Sequence, residues 1–189
     1  MIKLIAALGN PGREYEKTRH NVAWLCLDSL PEIQSLNWKS KFKGLFGEVT
    51  FGIQKVIVLK PQTYMNLSGE SIQPLMAFYK ISPQELLVIH DELDLPFGQI
   101  QFKKGGGLAG HNGLKSTAEL LGTDDFLRLR IGIGRPQFGS VSDYVLGQFG
   151  GDEQPRLQDL FTKIHGPLKE CVLNGIAKVG QYNKKPLLT

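Results

Sequence analysis

The sequence predicts an α/β protein: a single three-layer α/β/α domain over residues 1–189, built on a twisted mixed sheet. Three observations carry that prediction. The chain opens as strand, turn and helix, with a β-rich run at residues 2–8 that breaks at Gly9-Asn10-Pro11-Gly12 before a helical pattern begins at His20. Residues 86–89 form a continuous apolar run, the mark of a strand covered on both faces. Strand-type and helix-type segments then alternate to the end with no internal break in composition.

Each element follows from its residues. Residues 20–30 read as a helix with Val22, Leu25, Cys26 and Leu30 inward. Periodicity weakens over residues 31–44, where Lys39, Lys41 and Lys43 alternate with Ser40 and Phe42 in a basic loop entering a strand. Residues 45–51 and 55–59 flank Gly52 as a hairpin or two adjacent strands. Residues 66–80 form a helix carrying Leu67, Ile72, Leu75, Met76 and Tyr79. The apolar strand 86–89 delivers His90, Asp91, Glu92 and Asp94 into a loop. Residues 99–103 alternate as a strand, and the glycine-rich segment 105–113 leads into a helix at 114–121. Residues 128–133 alternate again, with arginines on one side, and helices at 142–146 and about 155–175 follow.

Composition narrows the function classes. With 41% hydrophobic residues, 21% charged residues and no low-complexity tract, a chain of 189 residues can bury a full core, which excludes disordered and repeat architectures. The net charge of +4 suits a polyanionic partner and equally suits simple solubility. Cys26 and Cys171 lie among apolar neighbours without CxxC spacing, so both are expected to be buried free thiols in a reducing compartment. The apolar start is too short for a signal peptide, and no stretch approaches the roughly 18 apolar residues of a membrane helix. A cytoplasmic protein without membrane contact is expected.

Ligands of open α/β sheets bind outside the carboxyl ends of the strands, where this chain places Asn10 with His20, the run from His90 to Asp94, and the segment from Lys103 to Asn112. A histidine at a helix start is often a cap or surface residue, but Asp91 at the tip of the buried strand could orient it and raise its basicity. The chain has no GxSxG elbow and no activated cysteine, which leaves water as the attacking group. Asn10, Asn66 and Asn112 could donate to an oxyanion, or serve only as turn and cap residues. The acidic run with His90 could hold a metal, although HExxH and EF-hand spacings are absent, and no metal or other cofactor is expected. Gly105, Gly107 and Gly110 satisfy GxGxxG but lack the acidic residue of a ribose site, and are expected instead to let the backbone approach a large ligand. Lys103, Lys104, Lys115, Arg128 and Arg130 frame this region as either a phosphate clamp or a solvated edge.

Several long segments in fixed order carry a resemblance: LGNPG at 8–12, TRHN at 18–21, KPQTYMNLSG at 60–69, HDELDLPFG at 90–98, GGGLAGHNGL at 105–114, RLRIGIGRP at 128–136 and YVLGQF at 144–149. The chain resembles the bacterial peptidyl-tRNA hydrolase family over most of its length. That resemblance implies a monomeric, metal-independent esterase that cleaves peptide from tRNA in peptidyl-tRNA, with no obligate protein partner. It implies His20 as general base, Asp91 as its orienting carboxylate, and Asn10, Asn66 and Asn112 as substrate-positioning amides. Tyr15 and Met65 would line the peptide side, and Lys103 and Arg130 would meet tRNA phosphate. The chain departs from the family pattern at Ala23, Gln101 and the Leu108-Ala109 pair. The alternative is a catalytically inactive RNA-binding protein on the same fold, against which the retention of both His20 and Asp91 speaks.

Overall fold

The computed structural model describes residues 1–189 and contains one seven-stranded mixed sheet in the order β2-β3-β4-β1-β5-β7-β6. The strands are β1 (Leu4–Ala7), β2 (Lys39–Lys41), β3 (Gly44–Phe51), β4 (Gln54–Pro61), β5 (Leu86–Glu92), β6 (Ile100–Lys104) and β7 (Leu127–Gly132). The four inner strands β4, β1, β5 and β7 run parallel, and antiparallel pairing adds β3 and β2 at one edge and β6 at the other. The α-helices are α1 (Val22–Ser29), α2 (Gly69–Tyr79), α3 (Asn112–Leu121), α4 (Val141–Val145) and α5 (Leu157–Asn174).

Side-chain alternation along the central strands builds the three layers. On one face Ile5, Ala7, Leu87, Ile89, Leu129 and Ile131 pack with α1 and α5 through Val22, Cys26, Leu160 and Ile164. On the other, Leu4, Ala6, Leu8, Leu86 and Val88 pack with α2 and α3 through Ile72, Leu75 and Leu114. Burial on both faces makes β1 and β5 the rigid centre, and their carboxyl ends hold Asn10 and Asp91. No helix is long and apolar enough to cross a membrane.

Four boundaries differ from the sequence reading. β5 does not stop at Ile89: His90, Asp91 and Glu92 continue the parallel ladder opposite Arg130, Ile131 and Gly132, so they are strand residues with fixed directions rather than loop residues. The first helix begins only at Val22, because Arg19–Asn21 form a 3-10 turn in which the Asn21 side chain is engaged elsewhere. Residues 66–80 divide into a 3-10 turn at Met65–Leu67 and helix α2, joined at Ser68, whose hydroxyl donates back to the Met65 carbonyl. The basic loop at residues 39–43 contains the short edge strand β2, closed onto β3 by a tight turn with Phe42 and Lys43 both at positive φ. An edge strand exposing Lys39, Ser40 and Lys41 is protected by charge against pairing with another chain.

Candidate active site

The site is assembled where β1 and β5 end side by side. Gly9 permits the turn after β1, since a Cβ there would lie 2.5 Å from the Trp24 ring, and the Trp24 indole N–H donates to the Ala7 carbonyl at 2.8 Å. Asn10 follows, buried. Its backbone N–H donates to Asn21 Oδ1 at 2.9 Å, its carbonyl accepts from Asn21 Nδ2 at 3.0 Å, and its side-chain Oδ1 accepts from the Met65 backbone N–H at 2.7 Å.

Asp91 continues the face of Leu87 and Ile89, which carries α1, and there His20 Nδ1 donates to Asp91 Oδ2 at 2.8 Å. The other carboxylate oxygen, Oδ1, lies 2.7 Å from His111 Nε2. His111 Nδ1 accepts from the Leu114 N–H at the start of α3, which fixes its tautomer and leaves Nε2 as the nitrogen that donates to Asp91. One carboxylate therefore bridges two imidazoles whose ring centroids are 5.3 Å apart. Burial alone would raise the Asp91 carboxyl, but the charges and hydrogen bonds of His20 and His111 overcome it and hold the group well below the usual carboxylate range.

Alternation puts the His90 side chain on the opposite face of β5 from that of Asp91, with its ring 5.1 Å from the His111 ring and its Nδ1 donating to the Asp91 carbonyl at 2.8 Å. Burial first, then the neighbouring His111, holds His90 well below the ordinary histidine value. Glu92 accepts from Arg130 Nε at 2.7 Å and from the Asp94 N–H at 3.1 Å, while Asp94 pairs with Arg135 at 2.7 Å. The ligand-type cluster of the sequence thus disperses: Glu92 and Asp94 enter separate ion pairs, and His90 bonds only to a backbone carbonyl. The trio His20, Asp91 and His111 brings possible ligand atoms within 4.8 Å of one another, but each of these nitrogens already meets an Asp91 oxygen.

An open cleft of about 500 Å³ lies over the trio. Asn10, Met65, Asn66 and Asn112 line it with His20, Asp91 and His111, and Val141, Val145 and Leu146 of the α4 segment form an apolar wall. Tyr15 does not reach the cleft: it meets Tyr64 edge-on at 6.5 Å, and it is Tyr64 that lines the opening. Lys103 and Arg130 also lie outside it, on the face of the β6–β7 ladder opposite Phe102 and Leu129. Arg130 is held by Glu92 and by the Gln101 side-chain oxygen. Arg128 cannot join a phosphate clamp, because it is 1% exposed and its guanidinium donates to the carbonyls of Gly105 at 2.9 Å and Gly107 at 3.2 Å. Burial pushes the Cys26 thiol up to about 12 and the Cys171 thiol up to about 11, so neither supplies a thiolate nucleophile.

A family model described as peptidyl-tRNA hydrolase matches residues 4–187. The chain belongs to the peptidyl-tRNA hydrolase family. It is 46% identical over 189 residues to the peptidyl-tRNA hydrolase of Geotalea uraniireducens, covering 99% of each chain. It is 50% identical over 163 residues to that of Desulfitobacterium hafniense, covering 86% of this chain and 88% of the relative. The crystal structure of peptidyl-tRNA hydrolase from Acinetobacter baumannii superposes with a TM-score of 0.91 at 37% identity, covering 99% of this chain and 97% of that one.

Two residues that organise the site escaped the sequence reading. His111 stands inside the GGGLAGHNGL segment and lies one residue before α3 at the carboxyl side of the sheet, the same kind of position that points to His20. Asn21 was passed over as the end of TRHN, and only the fold brings it to Asn10.

Proposed function

We propose that the chain hydrolyses the ester joining peptide to tRNA in peptidyl-tRNA, releasing free tRNA and peptide. The observation that carries this reading is the bridge from His20 through Asp91 to His111 at the base of the cleft. With Nδ1–H donated to Asp91, the neutral His20 ring keeps its lone pair on Nε2, where it can take a proton from water as the oxygen attacks the ester carbonyl. The imidazolium that forms is stabilised by the Asp91 carboxylate, whose depressed pKa keeps it ionised. Negative charge builds on the carbonyl oxygen, and the side-chain amides of Asn10, Asn66 and Asn112 donate to it or to the adjoining peptide groups. When the tetrahedral intermediate collapses, the same imidazolium returns its proton to the departing ribose oxygen.

Met65 and Tyr64, with the α4 wall, face the peptidyl group, and Tyr15 backs Tyr64. Lys103 and Arg130 meet tRNA phosphate from the β6–β7 ladder. The same reading makes residues 1–189 one domain that acts as a cytoplasmic monomer on peptidyl-tRNA, without a cofactor. The test is hydrolysis of N-acetyl-aminoacyl-tRNA beside free aminoacyl-tRNA, each with EDTA. Preferential cleavage of the blocked substrate, undiminished by EDTA, is expected. Equal cleavage of both, or loss in EDTA restored by one divalent ion, contradicts the reading.

A further inference from the structure

Asn10 lies past the last residue of β1, where the sheet offers its backbone no ladder partner, and it is 6% exposed. A buried peptide group left without partners destabilises the fold. Asn21, 0% exposed, supplies both partners: its Oδ1 accepts from the Asn10 N–H and its Nδ2 donates to the Asn10 carbonyl. A side-chain amide thus imitates a neighbouring strand for a single residue. Only one orientation of the Asn21 amide works, because the reverse would set N–H against N–H and oxygen against oxygen.

The Asn10 side chain is oriented just as firmly. Its Oδ1 accepts from the Met65 N–H at 2.7 Å, so the Nδ2 amino group is the part left to face the cleft that Asn10 lines. With the Asn10 backbone held by Asn21 and its carbonyl end held by Met65, this side chain can present a donor and cannot present an acceptor. His20 and Asn21 belong to the same 3-10 turn, so one short segment sets the imidazole and, through Asn10, the amide donor.

We propose that Asn21 is a positioning residue which fixes Asn10 Nδ2 as a donor to the acyl oxygen of the substrate, on the reading above that Asn10 touches that oxygen. Asn21 itself touches no substrate. Its absence loosens Asn10, and the loss falls on turnover more than on binding, because the donor matters most when charge is on the oxygen.

The experiment is a double-mutant cycle with N-acetyl-aminoacyl-tRNA, using Asn10→Ala, Asn21→Ser and the pair. Asn10→Ala should lower kcat by about 100-fold, and Asn21→Ser by about 10-fold with KM changed less than about 3-fold. In the Asn10→Ala background, Asn21→Ser should cost less than about 2-fold in kcat, since the group it positions is gone. Equal losses on both backgrounds, or wild-type kcat in Asn21→Ser, overturn the inference alone. Wild-type kcat in Asn10→Ala removes the assigned role of Asn10 and the inference with it.

A readout on the unmutated protein covers variants that do not fold. In nitrogen-15 NMR with a non-hydrolysable, amide-linked N-acetyl-aminoacyl-adenosine, the Asn10 side-chain NH2 signals should shift on addition, while those of Asn21 exchange slowly with solvent throughout. Fast exchange at Asn21, or Asn10 signals indifferent to the ligand, contradicts the proposal.

Discussion

At the β1 side of the cleft, Asn10, Asn21 and Asp91 are buried and joined by short hydrogen bonds to one another's neighbours, to His20 and to the Met65 backbone. At the β7 side, the wall of the cleft is a loop with Gly106, Ala109 and Gly110 exposed and at positive φ, fastened by the Arg128 guanidinium and the Gly105 N–H at its start and by His111 on Asp91 at its end. Burial first, then the nearby Arg130, lowers the Arg128 pKa, as expected of a cation held by carbonyls alone. The difference lies in how each side is held. The groups at the ends of β1 and β5 are held by packed backbone on every side, whereas the loop is tied at its two ends, by Arg128 and by His111, with residues 108–110 between them.

That comparison can be broken most severely on the buried side. Asp91→Asn cannot accept from both imidazoles, so one histidine must turn to the wrong tautomer. Steady-state kcat on N-acetyl-aminoacyl-tRNA should fall by about 10²- to 10⁴-fold with KM little changed. A loss below about 10-fold would show that the carboxylate bridge is dispensable.

A smaller effect is expected on the loop side. Arg128→Met removes both bonds to the glycine carbonyls, so amide hydrogen exchange at residues 105–111 should accelerate while β1 and α1 keep their protection. With His111 and Asn112 less well placed, kcat/KM should drop by about 10- to 100-fold. Unchanged exchange in the loop would mean that it is held by something other than Arg128.

The pH dependence of stability sharpens the contrast further. His90 is kept neutral in the folded state by burial and by His111, whereas the unfolded chain takes up a proton there below about pH 6.5. Stability should therefore fall as pH drops below about 6.5, by at most about 1.4 kcal/mol per pH unit from this group. Asp91 has the usual carboxylate sign: its contribution is present above about pH 4 and is lost as pH falls towards its lowered folded value. Urea midpoints of wild type and His90→Leu between pH 7 and about pH 5 should lose this slope in the variant. The smallest effect belongs to the partly buried cation Lys103. Lys103→Ala should raise KM a few-fold and reduce its logarithmic salt dependence by about one unit, as one phosphate contact disappears.

The elements that position the site were legible wherever periodicity or an apolar run spoke directly. The apolar run at 86–89 reads directly as a buried strand, and 45–51 with 55–59 as a hairpin or two adjacent strands, of which the antiparallel β3–β4 pair is the hairpin. The continuation of β5 through Glu92 was hidden, since polar residues in a ladder look like a loop until a neighbour such as β7 supplies their partners. His20 and Asp91 were found from their places at a helix start and a strand tip. Their union with His111 was not, because it depends on α3 starting beside β5, a contact between residues 20 positions apart. Arg128 was misread for a related reason: alternation told its face but not that the glycine loop folds over it.

The central claim is that His20 Nε2 activates water while Asp91 holds the other ring nitrogen. Single-turnover cleavage of N-acetyl-aminoacyl-tRNA by wild type and His20→Ala, at saturating enzyme, measures this directly, free of binding and product release. A loss of about 10²- to 10⁴-fold, equivalent to about 3 to 5.5 kcal/mol of transition-state stabilisation, is predicted with substrate affinity largely intact. Cleavage by His20→Ala at the wild-type rate would contradict the account.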